Sequence, residues 1–134
     1  MKHYLVDTNV IIDMLLNRED ADAACAVFDG AERGEYVLHI CSLSFTNLYY
    51  SLRKILSREQ RISALSQLRE VLEVALVDSS VIDMAFNSGW RDFEDAVQHF
   101  SAVKDPFVSA IITRNTKDFK DSILEIVDSV DFLR

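Results

Sequence analysis

The chain has 134 residues, 49% of them hydrophobic, a size and composition typical of a single folded domain, here expected to span residues 1–134. Its formal net charge of −8 argues against a protein that binds nucleic acid by simple electrostatics. The first twenty residues do not resemble a signal peptide, and no run approaches the roughly 20 apolar residues of a membrane span, so we expect a cytoplasmic protein with no membrane partner.

The first strand and two helices are predicted in the N-terminal part of the chain. Residues 3–6 form a short apolar run, which indicates a strand, and the residues after it have helical periodicity. Asp20 is placed to cap a second helix that runs to about residue 32. Gly30 and Gly34 are expected to mark the end of that helix.

A second strand and two further helices follow. Residues 36–40 are β-rich and apolar, and either Ser42 or Ser44 can open the next helix. Another helix is predicted over residues 58–73, because its apolar residues recur at helical spacing. The residues expected on its buried side are Ile62, Leu65, Leu68 and Leu72.

The third strand is predicted at residues 74–77, and Ser79 or Ser80 is expected to cap the helix after it. Gly89 breaks that helix and Asp92 begins another. Residues 107–113 and 124–127 predict the fourth and fifth strands.

Strands separated by helices are typical of a mostly parallel sheet that is covered on both faces. The predicted fold class is therefore α/β, with three α/β/α layers and five strands. In such sheets ligands bind beyond the carboxyl ends of the strands, so polar residues there are site candidates.

Asp7 ends the first strand and is followed by Thr8 and Asn9. A carboxylate, a hydroxyl and an amide thus stand together at the start of a helix. The alternative is a simple helix cap, in which Asp7 or Thr8 accepts hydrogen bonds from free backbone N–H groups.

The fourth strand also ends in polar residues, which could otherwise be an ordinary turn. Because a right-handed crossover commonly places a later strand beside the first, both polar ends can open on one crevice. The residues at this end are Thr113, Arg114, Asn115 and Asp118.

The segment DFEDA, residues 92–96, places Asp92 and Asp95 one helical turn apart on the same face. We expect Glu94 to point elsewhere and to be solvated. The alternative is that Asp92 is an N-cap and Asp95 only interacts with the helix dipole.

Clustered carboxylates are the ligands of hard divalent cations such as Mg²⁺, and crowded acids need a cation or protons to relieve their repulsion. Such a centre can activate water for in-line attack on a phosphodiester without a side-chain nucleophile. Cys25 and Cys41 lie among apolar residues and are expected in the core. The three histidines lie on different predicted elements and are expected to be packing or surface residues.

Four segments, YLVDTNVIIDML, SFTNLYYSLRK, DFEDAVQHFSA and IITRNTKDF, resemble the PIN-domain family in order and spacing over nearly the whole chain. The resemblance implies an endoribonuclease dependent on Mg²⁺ or Mn²⁺ with a parallel five-stranded sheet. It also implies RNA as the substrate, the toxin role in a toxin–antitoxin pair, an antitoxin protein as partner and homodimerisation.

The resemblance places catalytic carboxylates at Asp7, Asp95 and Asp118, with Asn115 as a further metal ligand. The family often has a Glu where this chain has Asn47, and we expect Asp92 to join the metal site in compensation. Supporting roles are expected for Thr8, Asn9, Asn47 and Thr113. Phosphate contacts are expected for Arg53, Lys54, Arg114 and Lys117, with ordinary solvated surface charges as the alternative.

Three other classes of protein share some of these features. A phosphatase or phospho-receiver domain also places an Asp after the first strand, but phosphatases of that type have a second Asp where this chain has Asn9. A Rossmann enzyme needs a glycine-rich loop where this chain has DTNV. A PIN-like interaction module with weakened catalysis stays open, because Asn47 carries no charge.

Overall fold

The computed structural model describes all 134 residues, and its five strands form one parallel sheet. The strands are β1 (His3–Val6), β2 (Val37–Cys41), β3 (Glu73–Ala75), β4 (Val108–Ile112) and β5 (Glu125–Val127). They are ordered β3-β2-β1-β4-β5, and every neighbouring pair is parallel. The predicted α/β class and the five strands are confirmed.

Seven helices connect and cover the strands. They are α1 (Thr8–Leu15), α2 (Ala21–Glu32), α3 (Ser42–Ser51), α4 (Arg58–Val71), α5 (Ser79–Asn87), α6 (Phe93–Val103) and α7 (Ser129–Phe132). A 3₁₀ turn at Thr116–Phe119 and the short α7 were not predicted from the sequence. None of the helices has both the length and the apolarity needed to cross a bilayer.

Alternating strand residues supply the two faces of the sheet, which gives the predicted three layers. Val6 and Ile112 belong to a buried cluster with residues of α1, α2 and α4. Their neighbours Leu5 and Ile111 lie in a second buried cluster on the other face, and α5 and α6 pack there with Cys41. The central strands are therefore buried on both sides, as their apolar runs indicate.

Helix ends show where local hydrogen bonding decides the boundaries. Ser57 and Gln60 form a complete capping box at the start of α4. Asp78, rather than the expected Ser79 or Ser80, caps α5 by accepting a hydrogen bond from the backbone N of Val81 at 3.0 Å. Asp20 precedes α2 with a left-handed φ of 64° and makes no capping bond, so that part of the prediction is wrong.

Three further expectations about α2 and α4 are corrected by the structure. Cys25 is exposed on α2, whereas Cys41 is buried as expected. Gly30 lies inside α2 rather than at its end, because the ring of Tyr36 packs so closely there that a Cβ atom would collide with it. Ile62 is exposed, since only the later apolar residues of α4 reach the core.

Candidate active site

The carboxyl ends of β1 and β4 lie side by side at the centre of the sheet, so the residues that follow them share one edge. Asp7 follows β1, and its backbone N donates to the carbonyl of Ile112 at 2.9 Å. Thr113 follows β4 and is fully buried beside it. The expectation that both polar ends open on one crevice is confirmed.

The carboxylate of Asp7 is held by two side chains. Thr113 Oγ1 donates to Asp7 Oδ2 at 2.7 Å, and Gln98 Nε2 donates to Asp7 Oδ1 at 2.9 Å. Asp7 stands at the N-cap position of α1, but the two short hydrogen bonds that its side chain accepts come from Thr113 and Gln98, so it does more than cap the helix. Burial raises the pKa of Asp7, and the two hydrogen bonds oppose that rise.

Gln98 is the residue that closes this end of α1, and the sequence analysis missed it. Its Oε1 accepts a hydrogen bond from the backbone N of Thr8 at 3.2 Å, while Thr8 Oγ1 lies 2.7 Å from Ser44 Oγ. Gln98 and Ser44 are both buried. A glutamine on the largely apolar buried face of a helix was the only signal that could have identified it.

Helix α6 brings three acids to the cleft. Asp92 caps the helix by accepting a hydrogen bond from the backbone N of Asp95 at 3.0 Å, so its predicted capping role and its place in the cleft are both observed. Glu94 also lines the cleft and accepts a hydrogen bond from Asn47 Nδ2 at 3.1 Å. The expectation that Glu94 points elsewhere is wrong, because the start of α6 is turned towards α3.

The turn after β4 completes the cleft with Asn115 and Asp118. Asn115 donates its backbone N–H to Thr113 Oγ1 at 3.0 Å, which fixes the turn next to Asp7. The cleft has a volume of about 350 Å³ and is lined almost entirely by polar residues. Its lining consists of Asp7, Thr8, Asn9, Ile12, Asn47, Tyr50, Ser51, Asp92, Glu94, Asp95, Gln98, Asn115 and Asp118.

The crowding of acids dominates the electrostatics of this cleft. Partial burial, then the charges of Asp7, Asp92, Asp118 and Glu94, raise the pKa of Asp95 to about 7. At neutral pH the carboxyl of Asp95 is therefore close to half protonated, and a cation would relieve the same repulsion.

The donor chemistry of the cleft fits a hard divalent ion, because the groups that line it are carboxylates, amides and hydroxyls. No three acidic, histidine or cysteine side chains are grouped tightly enough to form a ready-made metal centre. Binding an ion here therefore requires the carboxylates to move closer together.

The four basic residues expected to contact phosphate differ in whether their charged groups already have a partner in the protein. Arg114 Nε makes a 2.7 Å ion pair with the buried carboxylate of Asp13, which ties down its guanidinium. The Arg53 guanidinium lies 3.7 Å from the ring centroid of Tyr50, a residue that lines the cleft. Lys54 and Lys117 are exposed and make no ion pair.

The histidines lie outside the cleft, although two of them meet. They lie on three different elements as expected, but His3 Nδ1 is 2.8 Å from His39 Nε2 because β1 and β2 are neighbours. His99 is buried against Trp90 with no hydrogen-bond partner on either ring nitrogen. None of the three lines the acidic cleft, which agrees with the expected packing roles.

The fold and the cleft define a class: an α/β protein with a parallel sheet and an oxygen-rich acidic site at the carboxyl ends of its central strands. The family model for the PIN domain matches residues 3–117. The chain belongs to the PIN-domain family, a family of nucleases that generally use divalent metals.

Solved structures share this fold at low sequence identity. VapBC-1 from nontypeable Haemophilus influenzae aligns with a TM-score of 0.68 and 22% identity, covering 96% of this chain and 98% of that one. A toxin–antitoxin complex from Klebsiella pneumoniae aligns with a TM-score of 0.69 and 20% identity, covering 94% and 97%. VapBC2 from Rickettsia felis, bound to a promoter DNA fragment, aligns with a TM-score of 0.68 and 17% identity, covering 94% of this chain and 98% of that one. No curated protein matches the chain.

Proposed function

We propose that this protein is an endoribonuclease that hydrolyses RNA phosphodiester bonds with the help of bound Mg²⁺ or Mn²⁺. The observation that carries the proposal is the convergence of Asp7, Asp95 and Asp118 on one cleft at the centre of the sheet. Acids drawn from three separate segments repel one another there, which is unfavourable unless the site holds a cation. Family membership supports the same activity.

Asp7, Asp95 and Asp118 are the residues proposed to hold the ion, with Asn115 contributing an amide oxygen. A divalent ion bound there would supply Lewis-acid activation of water and charge neutralisation at the leaving oxygen. The chain's own part is positioning. Thr113 and Gln98 fix both oxygens of the Asp7 carboxylate, which keeps it aimed into the cleft.

Because the chain has a net charge of −8, RNA binding needs positively charged side chains near the cleft. Lys54 and Lys117 are the free candidates for phosphate contact, and Arg53 is next to the cleft on the ring of Tyr50. Arg114 contributes less than the sequence suggested, because its ion pair with Asp13 competes with phosphate.

The toxin role in a toxin–antitoxin pair is part of the proposal. It is supported by the toxin–antitoxin complexes among the structures that share the fold. The expected partner is an antitoxin protein that blocks the cleft, with homodimerisation and a cytoplasmic location as further expectations.

The test combines Mn²⁺ titration calorimetry with cleavage of a single-stranded RNA oligonucleotide of mixed sequence. Wild type should bind Mn²⁺ and cleave, whereas Asp7→Asn and Asp118→Asn should lose both activities. Asp118→Asn, at an exposed position, should also keep the wild-type melting temperature. Glu70→Gln, an exposed acid on α4 away from the cleft, is the matched control and should behave as wild type. Cleavage by Asp7→Asn at the wild-type rate contradicts the proposal.

The second candidate is an interaction module with weakened catalysis. It is favoured by the neutral Asn47 in the cleft and by the absence of a ready-made group of three ligands. This candidate predicts that wild type neither takes up Mn²⁺ nor cleaves RNA, yet still binds its protein partner. The same titration therefore separates the two functions.

A further inference from the structure

Helices α3 and α6 face each other across the acidic cleft through Asn47 and Glu94. Asn47 Nδ2 donates to Glu94 Oε1 at 3.1 Å, and both side chains line the cleft. We infer that Glu94 is a fourth carboxylate of the metal site, joining Asp7, Asp95 and Asp118. The inference rests on the proposed function, because it concerns the same ion.

The hydrogen bond with Asn47 determines how Glu94 is oriented. A glutamate at the start of a helix would ordinarily extend into solvent, where its side chain has several rotamers. Here the amide of Asn47 holds Oε1 on the cleft side of α6, and Oε2 accepts no hydrogen bond from the protein. The free oxygen is available to a cation without breaking an existing contact.

The electrostatic surroundings of Glu94 agree with that geometry. Partial burial, then the nearby charges of Asp92 and Asp7, raise the pKa of Glu94, while the hydrogen bond from Asn47 lowers it. Glu94 therefore lies in the same negative field as Asp7, even though 87 positions separate them in the chain. An ion that neutralises Asp7 would also attract Glu94.

Asp92, which the sequence analysis expected to compensate for Asn47, is less suited to that role. Its Oδ1 already accepts the hydrogen bond that caps α6. Moving Asp92 towards an ion would release the backbone N–H of Asp95, which has no intrahelical partner at the start of α6. Glu94 caps no helix, and its one side-chain hydrogen bond, from Asn47, holds it on the cleft side.

Removing Glu94 should have two opposite effects, and a merely structural residue would not show both. Without metal, Glu94→Gln removes a charge that repels Asp92 and Asp7, so the melting temperature in EDTA should stay equal or rise. With metal, one fewer carboxylate should weaken Mn²⁺ binding roughly tenfold or more.

An exchange variant tests position directly. The double variant Asn47→Glu with Glu94→Gln moves the carboxylate to the other side of the same hydrogen bond, so it should recover Mn²⁺ affinity lost in Glu94→Gln. Glu70→Gln, an exposed acid on α4 outside the cleft, should bind Mn²⁺ within about threefold of wild type. All variants are compared by titration calorimetry and by the Mn²⁺-induced shift in melting temperature.

Two results would overturn the inference, and they are distinguishable. If Glu94→Gln binds Mn²⁺ as wild type does while Asp7→Asn does not, the metal site stands and Glu94 is not part of it. If Asp7→Asn also binds as wild type does, the proposed metal site itself is wrong, and the role of Glu94 falls with it.

Discussion

Replacing Gln98 by methionine should destabilise the fold and loosen the active site together. The side chains have similar volume, so the change removes the hydrogen bonds of Gln98, two short ones and a longer one of 3.4 Å from Thr8 Oγ1, without opening a large cavity. Gln98 Nε2 donates to Asp7 at 2.9 Å, and its Oε1 accepts from the backbone N of Thr8 at 3.2 Å. Both contacts are buried, and water cannot easily replace them.

The size of the effect follows from what is left without a partner. A hydrogen bond to a charged group contributes about 1.5–3 kcal/mol, and a buried N–H without a partner costs about 1–3 kcal/mol. Asp7 still has Thr113 and can take up a proton, which limits the loss. We therefore expect Gln98→Met to lower the free energy of unfolding by about 2–4 kcal/mol.

The assay is urea unfolding at pH 7, with Gln67→Met as the matched control. Gln67 is exposed on α4 and only donates a long 3.4 Å bond to Ser63, so its replacement should change the free energy of unfolding by less than about 0.5 kcal/mol. Mn²⁺ affinity of Gln98→Met should fall about 10- to 100-fold, as for other residues that orient a ligand. A loss of stability no larger than in the control would refute this account of Gln98.

Two predictions concern pH. His99 is buried without a hydrogen-bond partner, and burial lowers its pKa from 6.5 to about 4. Between these two pH values the unfolded chain binds a proton at His99 and the native protein does not. The free energy of unfolding should therefore fall as pH drops from 6.5 towards 4, and His99 alone should account for about 2 kcal/mol of that fall at pH 5. In urea unfolding, His99→Phe should lose about 2 kcal/mol less than wild type between pH 7 and pH 5. Equal losses in the two proteins would contradict this role of His99. Separately, Asp95 has a pKa of about 7, so Mn²⁺ must displace its proton at lower pH. Apparent Mn²⁺ affinity should fall about fivefold from pH 7 to pH 6 in calorimetry, more steeply than in Asp95→Asn, and equal slopes would contradict that role.

The periodic and acidic features of the fold were predictable from the sequence because they depend on local pattern. Asp7 follows an apolar strand, and the turn at Asn115 and Asp118 follows another, so the parallel sheet places them together. Periodicity also located the helices to within a few residues. It could not locate α7, a single turn that begins where Asp128 caps it.

The parts that escaped prediction depend on contacts between distant segments. Gln98 and Ser44 meet Thr8 only because α3 and α6 converge on the start of α1. Cys25 has apolar neighbours in sequence yet lies on the outer side of α2, since three neighbouring residues of a helix cannot all face the core. Glu94 is exposed, as its helical spacing indicates, but only the position of α3 shows that it faces the cleft.

The sheet order explains why the acids of this cleft need not come from fixed positions. Strand β1 lies between β2 and β4, and the order of the strands reverses direction at β1 and β4. Asp7 and Thr113 follow the carboxyl ends of these two strands and therefore lie at the crevice that this switch point forms. Helices α3 and α6 flank that opening from opposite sides, and Asn47 and Glu94 touch across it. A carboxylate on either helix reaches the same space, because the distance between the two side chains is only that of a hydrogen bond. If Glu94 binds the ion as proposed, an acid on α6 takes the place of one on α3 without a change in the backbone.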